Sequence, residues 1–261
     1  MSNDPVLIRT DNSVMTITLN RPDALNALSL ESHHALDAAF TAYANDDQLT
    51  VAVITGMGNK AFCAGSDLKN LAGNKGPVKR HDMPAHGYAG LIERFDLMKP
   101  VVAAINGHAI GGGLEIVLSC DIAIAADHAK FGLPEPKVGL ASSGGVHRLI
   151  RSVGQKDAMK IALCSELFDA QTARSYGLIN EVVAPDQLAE ATEKTVNALQ
   201  ACSPAALKAT KQMMLQGYDA PDLQAAHSQQ YSLYEAMLSG PDAQEGMAAF
   251  VEKRKPVWRG K

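Results

Sequence analysis

Ile105-Asn106-Gly107-His108-Ala109-Ile110-Gly111-Gly112-Gly113-Leu114-Glu115 is the stretch on which the fold turns. The apolar residues 100–105 run into it as a buried strand. A turn of small residues follows, and a helix opens at the glycine triplet. A second stretch, Ala61-Phe62-Cys63-Ala64-Gly65-Ser66-Asp67-Leu68-Lys69, has the same order of strand, small-residue turn and helix start. Helix N-termini present free N–H groups and the positive end of the dipole. Small residues let a ligand approach the backbone closely. Two such turns side by side make a two-donor pocket for a developing oxyanion. Glu115 lies three residues after Gly112, on the same face of the first helical turn, and carries a carboxylate towards that pocket.

Outward from these turns, Val14–Leu19 alternates and is β-branched, so it reads as a strand. Ser29 is an N-cap for a helix reaching about Asn45. Residues 50–55 form an unbroken apolar strand of the kind buried on both faces. Residues 73–85 mix Gly, Pro and charge and predict a mobile loop, followed by a helix over 86–97. A short strand is expected over 122–125. Beyond about residue 143 the pattern is helical, with segments 186–201, 204–216, 221–238 and 242–253, the second opened by Ser203 as N-cap and Pro204 at the first helical position. The expectation is an α/β core over residues 1–185 and a C-terminal helical region over 186–261.

Composition narrows the function. The chain has 261 residues, 46% of them hydrophobic and 20% charged, with a net charge of −4. A nucleic-acid binder would be basic. No apolar run approaches the roughly 18 residues of a membrane span, and the N-terminus lacks the pattern of a secretory signal. Cys63, Cys120, Cys164 and Cys202 are far apart, which argues against a disulfide framework and fits a reducing cytoplasm. The eight histidines are scattered and form no H-E-x-x-H, so no metal site is expected. Gly56-Met57-Gly58-Asn59-Lys60-Ala61 follows a strand as a dinucleotide fingerprint would. Phe62-Cys63-Ala64-Gly65 then opens no helix, so the segment reads as a tight turn. Ala141-Ser142-Ser143-Gly144-Gly145 echoes a serine-nucleophile elbow without the preceding strand, and reads as a loop capping a helix near Gly144.

The two turn segments resemble those of the enoyl-CoA hydratase/isomerase (crotonase) family, and the carnitinyl-CoA dehydratase-like branch is nearest. Phe131-Gly132-Leu133-Pro134-Glu135 with Gly144-Gly145-Val146-His147-Arg148-Leu149 resembles a third signature of that family. The N-terminal L-N-R-P-D-A-L-N-A-L and residues 250–258 add to a likeness that spans nearly the whole chain. The resemblance implies a spiral of ββα units, a C-terminal helical trimerisation region and an acyl-CoA thioester substrate, with CoA as part of the substrate and no separate cofactor. It places the oxyanion N–H donors on Ser66 and Gly112 and the two hydratase glutamates on Glu115 and Glu135. Contacts to substrate or CoA fall on Ala24, Leu25, Ala64, Ser66, Asp67, Leu68, Lys69, Gly111, Phe250 and Lys253, the last two across a subunit boundary. Asp67 also reads as a structural acid. Ser66 stands where Ala is most often seen; a backbone donor survives that change, while the hydroxyl alters the pocket. Ser142 stands where relatives with other chemistries carry an aspartate, which argues against an aspartate nucleophile.

The expected activity is reversible hydration of a 2-enoyl-CoA. Paired carboxylates beside an apolar acyl chain push their pKa values apart, so one holds a proton while the other takes one. Pro134 and Pro136 stiffen the backbone around Glu135. The alternatives are an enoyl-CoA isomerase, a carnitinyl-CoA dehydratase-like lyase, or a CoA- or RNA-binding member with little turnover. Apolar positions Leu223, Ala226, Tyr231, Tyr234, Met237 and Leu238 need a covering surface, and with the family likeness they predict a homotrimer, paired into a hexamer. No nucleic-acid or membrane partner is expected.

Overall fold

Strands of this chain alternate between two sheets. The computed structural model describes residues 4–68 and 80–260. Among these, β1 (Val6–Asp11), β2 (Val14–Leu19), β3 (Val51–Gly56), β5 (Val101–Ile105), β7 (Ile122–Ala126) and β10 (Glu181–Val183) form one sheet in the order β1-β2-β3-β5-β7-β10. The strands β4 (Ala61–Cys63), β6 (His108–Ile110), β8 (Lys130–Gly132) and β9 (Phe168–Asp169) form the other, in the order β4-β6-β8-β9. Each of β3, β5 and β7 thus hands the chain to a short strand of the second sheet. Within each sheet these successive strands pair in parallel. That repetition is the spiral of ββα units that the family resemblance implies.

The apolar patterning explains the layers. Val51, Ala52, Val53 and Ile54 are all buried, because β3 has cover on both faces. One face packs on the main core with Phe40, Tyr43, Ile105, Leu114 and Phe131. The other, through Val51, Val53, Val102 and Ala104, is covered by Val196 of α6 (Leu188–Gln200). Helix α1 (Leu30–Asn45) starts where expected: Ser29 Oγ accepts the Ser32 amide, and Ser32 Oγ accepts the Ser29 amide. It buries His33, Leu36, Ala39, Phe40 and Tyr43 along one face. Helix α2 (Gly112–Ser119) opens at the glycine triplet.

Two expectations are corrected. Residues 86–97 do not form a helix. They make turns with a single 3-10 stretch, Tyr88–Gly90. Gly87, Ala89 and Gly90 take φ of 70°, 56° and 58°, which no right-handed helix accommodates. The segment is tied instead to α1: the buried Arg94 donates to the Gly90 carbonyl at 3.0 Å and to Thr41 Oγ1 at 2.6 Å. The helix expected over 221–238 is two, α8 (Leu223–Ser228) and α9 (Ser232–Ser239), separated by extended residues at Gln229 and Tyr231. Tyr231 is buried there and its hydroxyl donates to the Ala226 carbonyl at 2.7 Å. Of the loop expected over 73–85, residues 73–79 lie outside the described residues, and Arg80–Asp82 is a 3-10 turn.

Between these elements run α3 (Val146–Ser152), α4 (Gln155–Met159) and α5 (Ala170–Ser175). The last third holds α6, α7 (Pro204–Tyr218), α8, α9 and α10 (Pro241–Glu252). Helix α7 has the Ser-Pro start anticipated, with Ser203 Oγ accepting the Ala206 amide at 3.1 Å. Among the described residues no helix is long and apolar enough to cross a membrane.

Candidate active site

Because β4 and β6 are parallel neighbours, the turns that follow them meet at one edge of the small sheet. Gly65 has φ of +86°, and a Cβ on it would lie 3.1 Å from the Gly112 amide nitrogen. The two turns therefore touch backbone to backbone. The Ser66 turn is fixed from the far side, where Leu28 donates to the Gly65 carbonyl at 2.8 Å and accepts from the Asp67 amide at 3.0 Å. Among the described residues no backbone carbonyl accepts from the amides of Ser66 or Gly112, which leaves both free to bind an oxygen. Each glycine of the triplet answers a different neighbour. Gly111 has φ of +57° and faces Glu135 Oε1. A Cβ on Gly112 would overlap the Tyr88 phenol, and one on Gly113 would overlap the Cys63 carbonyl.

Two carboxylates flank this pocket. Glu115, only 5% exposed, projects from the first turn of α2. Its Oε1 accepts the amides of Gly144 at 3.0 Å and Gly145 at 2.8 Å. Burial, reinforced by the charge of Glu135, pushes its pKa up to about 7 despite those two hydrogen bonds. Glu135 begins a 3-10 turn directly after Pro134. Its Oε2 accepts the Ser142 hydroxyl at 2.6 Å, and its Oε1 faces Gly111. Both glutamates, Ser66, Gly112 and Tyr88 line one cleft of about 2530 Å³. That exceeds the roughly 300–1,000 Å³ of a drug-sized pocket.

Ala64, Asp67, Leu68 and Gly111 line the same cleft. Asp67 also forms an ion pair with Arg21 at 2.7 Å, the structural role foreseen for it. Ala24 ends the 3-10 turn Pro22–Ala24 and Leu25 caps it; neither lines the cleft, and the Leu25 carbonyl accepts the Ala64 amide at 3.1 Å. Lys69 falls outside the described residues. Phe250 and Lys253 sit at the end of α10 and do not line this cleft in their own chain. Arg254, in the same basic run, is held by Glu245 and Glu252. Ser142 does more than cap a loop. Its carbonyl accepts the Val146 amide at 3.1 Å as α3 begins, while its buried hydroxyl serves Glu135. Sequence spacing missed that link, as it missed Tyr88, which only the turn at 87–90 brings to Gly112. The segment 56–61 is a turn between β3 and β4, as read. Among the described residues no three His, Cys, Asp or Glu side chains are grouped to hold a metal ion.

The sequence profile of the family described as enoyl-CoA hydratase/isomerase matches residues 9–261. The chain is 39% identical over 262 residues to an (E)-benzylidenesuccinyl-CoA hydratase of Thauera aromatica, covering 98% of this chain and 99% of that protein. It is 39% identical to a carnitinyl-CoA dehydratase of Salmonella arizonae, covering 95% of each. The crystal structure of a probable enoyl-CoA hydratase/isomerase from Mycobacterium abscessus superposes with a TM-score of 0.89 at 38% identity, over 100% of both chains.

Proposed function

The chain belongs to the enoyl-CoA hydratase/isomerase family, and from that premise we propose that it adds water reversibly across the double bond of a 2-enoyl-CoA thioester. The observation that carries this is the convergence of Glu115 and Glu135 on a pocket with two unengaged amides. In hydration, ionised Glu115 takes a proton from water, whose oxygen bonds to the β-carbon. The π electrons move onto the thioester oxygen, where the Ser66 and Gly112 amides receive the charge. Protonated Glu135 then gives its proton to the α-carbon, and the carbonyl re-forms. Dehydration runs the same steps backwards, with the proton starting on Glu115. Which of the two carboxyls holds the proton sets the direction of the reaction. The Ser142 hydroxyl serves both directions, donating to the Glu135 carboxylate or accepting from the acid.

No electrons change hands, so the chemistry needs no redox carrier, and CoA enters as part of the substrate. The helical region from residue 186 serves assembly into a trimer or a pair of trimers, in which Phe250 and Lys253 approach the CoA of a neighbour. The four unpaired thiols support a cytoplasmic setting. The test is a spectrophotometric assay on crotonyl-CoA, following loss of the conjugated enoyl-thioester absorption. Stoichiometric formation of 3-hydroxybutyryl-CoA is expected. Binding of crotonyl-CoA without turnover, or migration of the double bond without uptake of water, would sink the proposal.

A further inference from the structure

Three residues with left-handed φ surround Tyr88: Gly87, Ala89 and Gly90. Ala89 has a Cβ, so its left-handed conformation is strained. Such backbone persists only where its surroundings over-determine it, and it gathers at functional sites. Here the surroundings are plain. Gly90 is pressed on the Asp37 backbone, where a Cβ would overlap. The Ala89 amide donates to His33 Nδ1 at 3.0 Å, and Arg94 holds the Gly90 carbonyl. Burial keeps His33 neutral, pushed down to about 4, so Nδ1 is free to accept.

What this braced turn presents to the cleft is one phenol. The Tyr88 hydroxyl lies 3.2 Å from Ser66 Oγ. The phenol rests against Gly112 closely enough to exclude any side chain there. The His33 ring meets the Tyr88 ring edge-on, with centroids 4.4 Å apart. The hydroxyl thus stands beside both residues whose amides make the two-donor pocket. The titratable groups that bear on it are Cys63, Glu115 and Glu135. Burial above all, and these groups after it, hold the phenol protonated well above its ordinary range. It is a neutral O–H at any pH the enzyme meets.

We propose that Tyr88 is a third hydrogen-bond donor to the thioester oxygen, its O–H turning from Ser66 Oγ to that oxygen as negative charge builds there. The proposal rests on the hydration proposed above. It also explains the Ser66 hydroxyl, the departure from the family's usual alanine, as the group that holds the phenol in line before substrate arrives.

Tyr88→Phe tests this, since it keeps the ring against His33 and Gly112 and removes only the O–H. With crotonyl-CoA, kcat is expected to fall on the order of 10²-fold, the low end for loss of one oxyanion donor, with KM little changed. A readout independent of turnover is the absorption of a bound 3-aryl-2-enoyl-CoA, whose conjugation opposes hydration. Donors to its carbonyl oxygen shift the band to the red. The shift should shrink in Tyr88→Phe at nearly unchanged affinity, and Ser66→Ala, which keeps the amide, should show a smaller loss of the same sign. Wild-type kcat with a full red shift in Tyr88→Phe overturns the proposal. So does a loss of kcat that comes with equal losses of affinity and melting temperature, which marks a packing role. A wild-type enzyme that neither hydrates crotonyl-CoA nor shifts the band sinks the hydration itself.

Discussion

Glu115 and Glu135 differ in surroundings more than in chemistry. Two backbone amides point at one oxygen of Glu115, yet its burial outweighs them and raises its pKa to about 7. Glu135 is half-buried and receives a hydroxyl. Replacing either by Gln keeps the shape and removes the proton transfer. Each variant should lose roughly 10²- to 10⁴-fold in kcat, with CoA affinity nearly retained. Near-wild-type turnover in both would refute the assignment. The raised pKa also has a consequence for stability. Folded Glu115 binds its proton up to about pH 7, whereas the unfolded chain releases it near 4.5. The folded state therefore holds more protons across that window, and stability falls as pH rises through it. The total is about 3 kcal/mol at 1.36 kcal/mol per pKa unit. Glu115→Gln escapes this loss. Its melting temperature should match the wild type near pH 4.5 and exceed it at pH 8. An equal gap at both pH values would mean that Glu115 titrates normally. Both carboxylates of the cleft were legible in the sequence through the family resemblance, supported by the spacing of Glu115 from the glycine triplet and by the prolines around Glu135. The hydrogen bond from Ser142 to Glu135 was not, because a link across seven residues of irregular chain leaves no periodic trace.

The glycine triplet shows how an element is set by its neighbours. Gly112 must admit the Tyr88 phenol, the movable end of a side chain, whereas Gly113 faces the backbone carbonyl of Cys63, which β4 holds in place. The two positions should therefore respond differently to one methyl group. Gly113→Ala is expected to cost about 1–3 kcal/mol of stability, the usual range for overpacking. Gly112→Ala should displace Tyr88 and lower kcat at a smaller cost in stability. Denaturant unfolding beside steady-state kinetics separates them, and a Gly113→Ala protein as stable as wild type would contradict the difference. Elements carried by strong local signals were the readable ones. The β-branched runs of β2, β3 and β5 and the Ser29 and Ser203 caps marked their elements to within a residue or two. Short pieces such as β8 and β9 hold two or three residues and exist only through pairing with β6 and each other, so no window of sequence shows them. The absent helix at 86–97 had a visible warning in Gly87 and Gly90. The break between α8 and α9 had none, since no glycine or proline falls at 229–231 and tertiary burial of Tyr231 decides it.

At the scale of the molecule, the single chain leaves its C-terminal helices unevenly covered. Of the apolar stripe expected to seek a surface, Tyr231 packs within its own chain, whereas Leu223 is 74% exposed and Leu238 also faces outward. At the end of α10, Phe250 is 86% and Val251 78% exposed, with Met247 one turn before them. Scattered exposed apolar residues need no explanation, but large ones gathered on adjacent elements mark an interaction surface. Closed rotational symmetry buries one such surface at every interface of a ring. The proposed assembly would also account for the absence of Phe250 and Lys253 from the cleft of their own chain. Light scattering coupled to size-exclusion chromatography should then give three or six times the 27.7 kDa of one chain. Phe250→Asp discriminates further. In a monomer, a charge at so exposed a position changes stability by less than about 0.5 kcal/mol and leaves KM alone. The proposed assembly would place it at a subunit contact beside the neighbour's CoA, so the variant should shift to smaller species and raise KM for the acyl-CoA together. A wild-type chain that stays monomeric and fully active at micromolar concentration would remove the basis for both the assembly and the shared site.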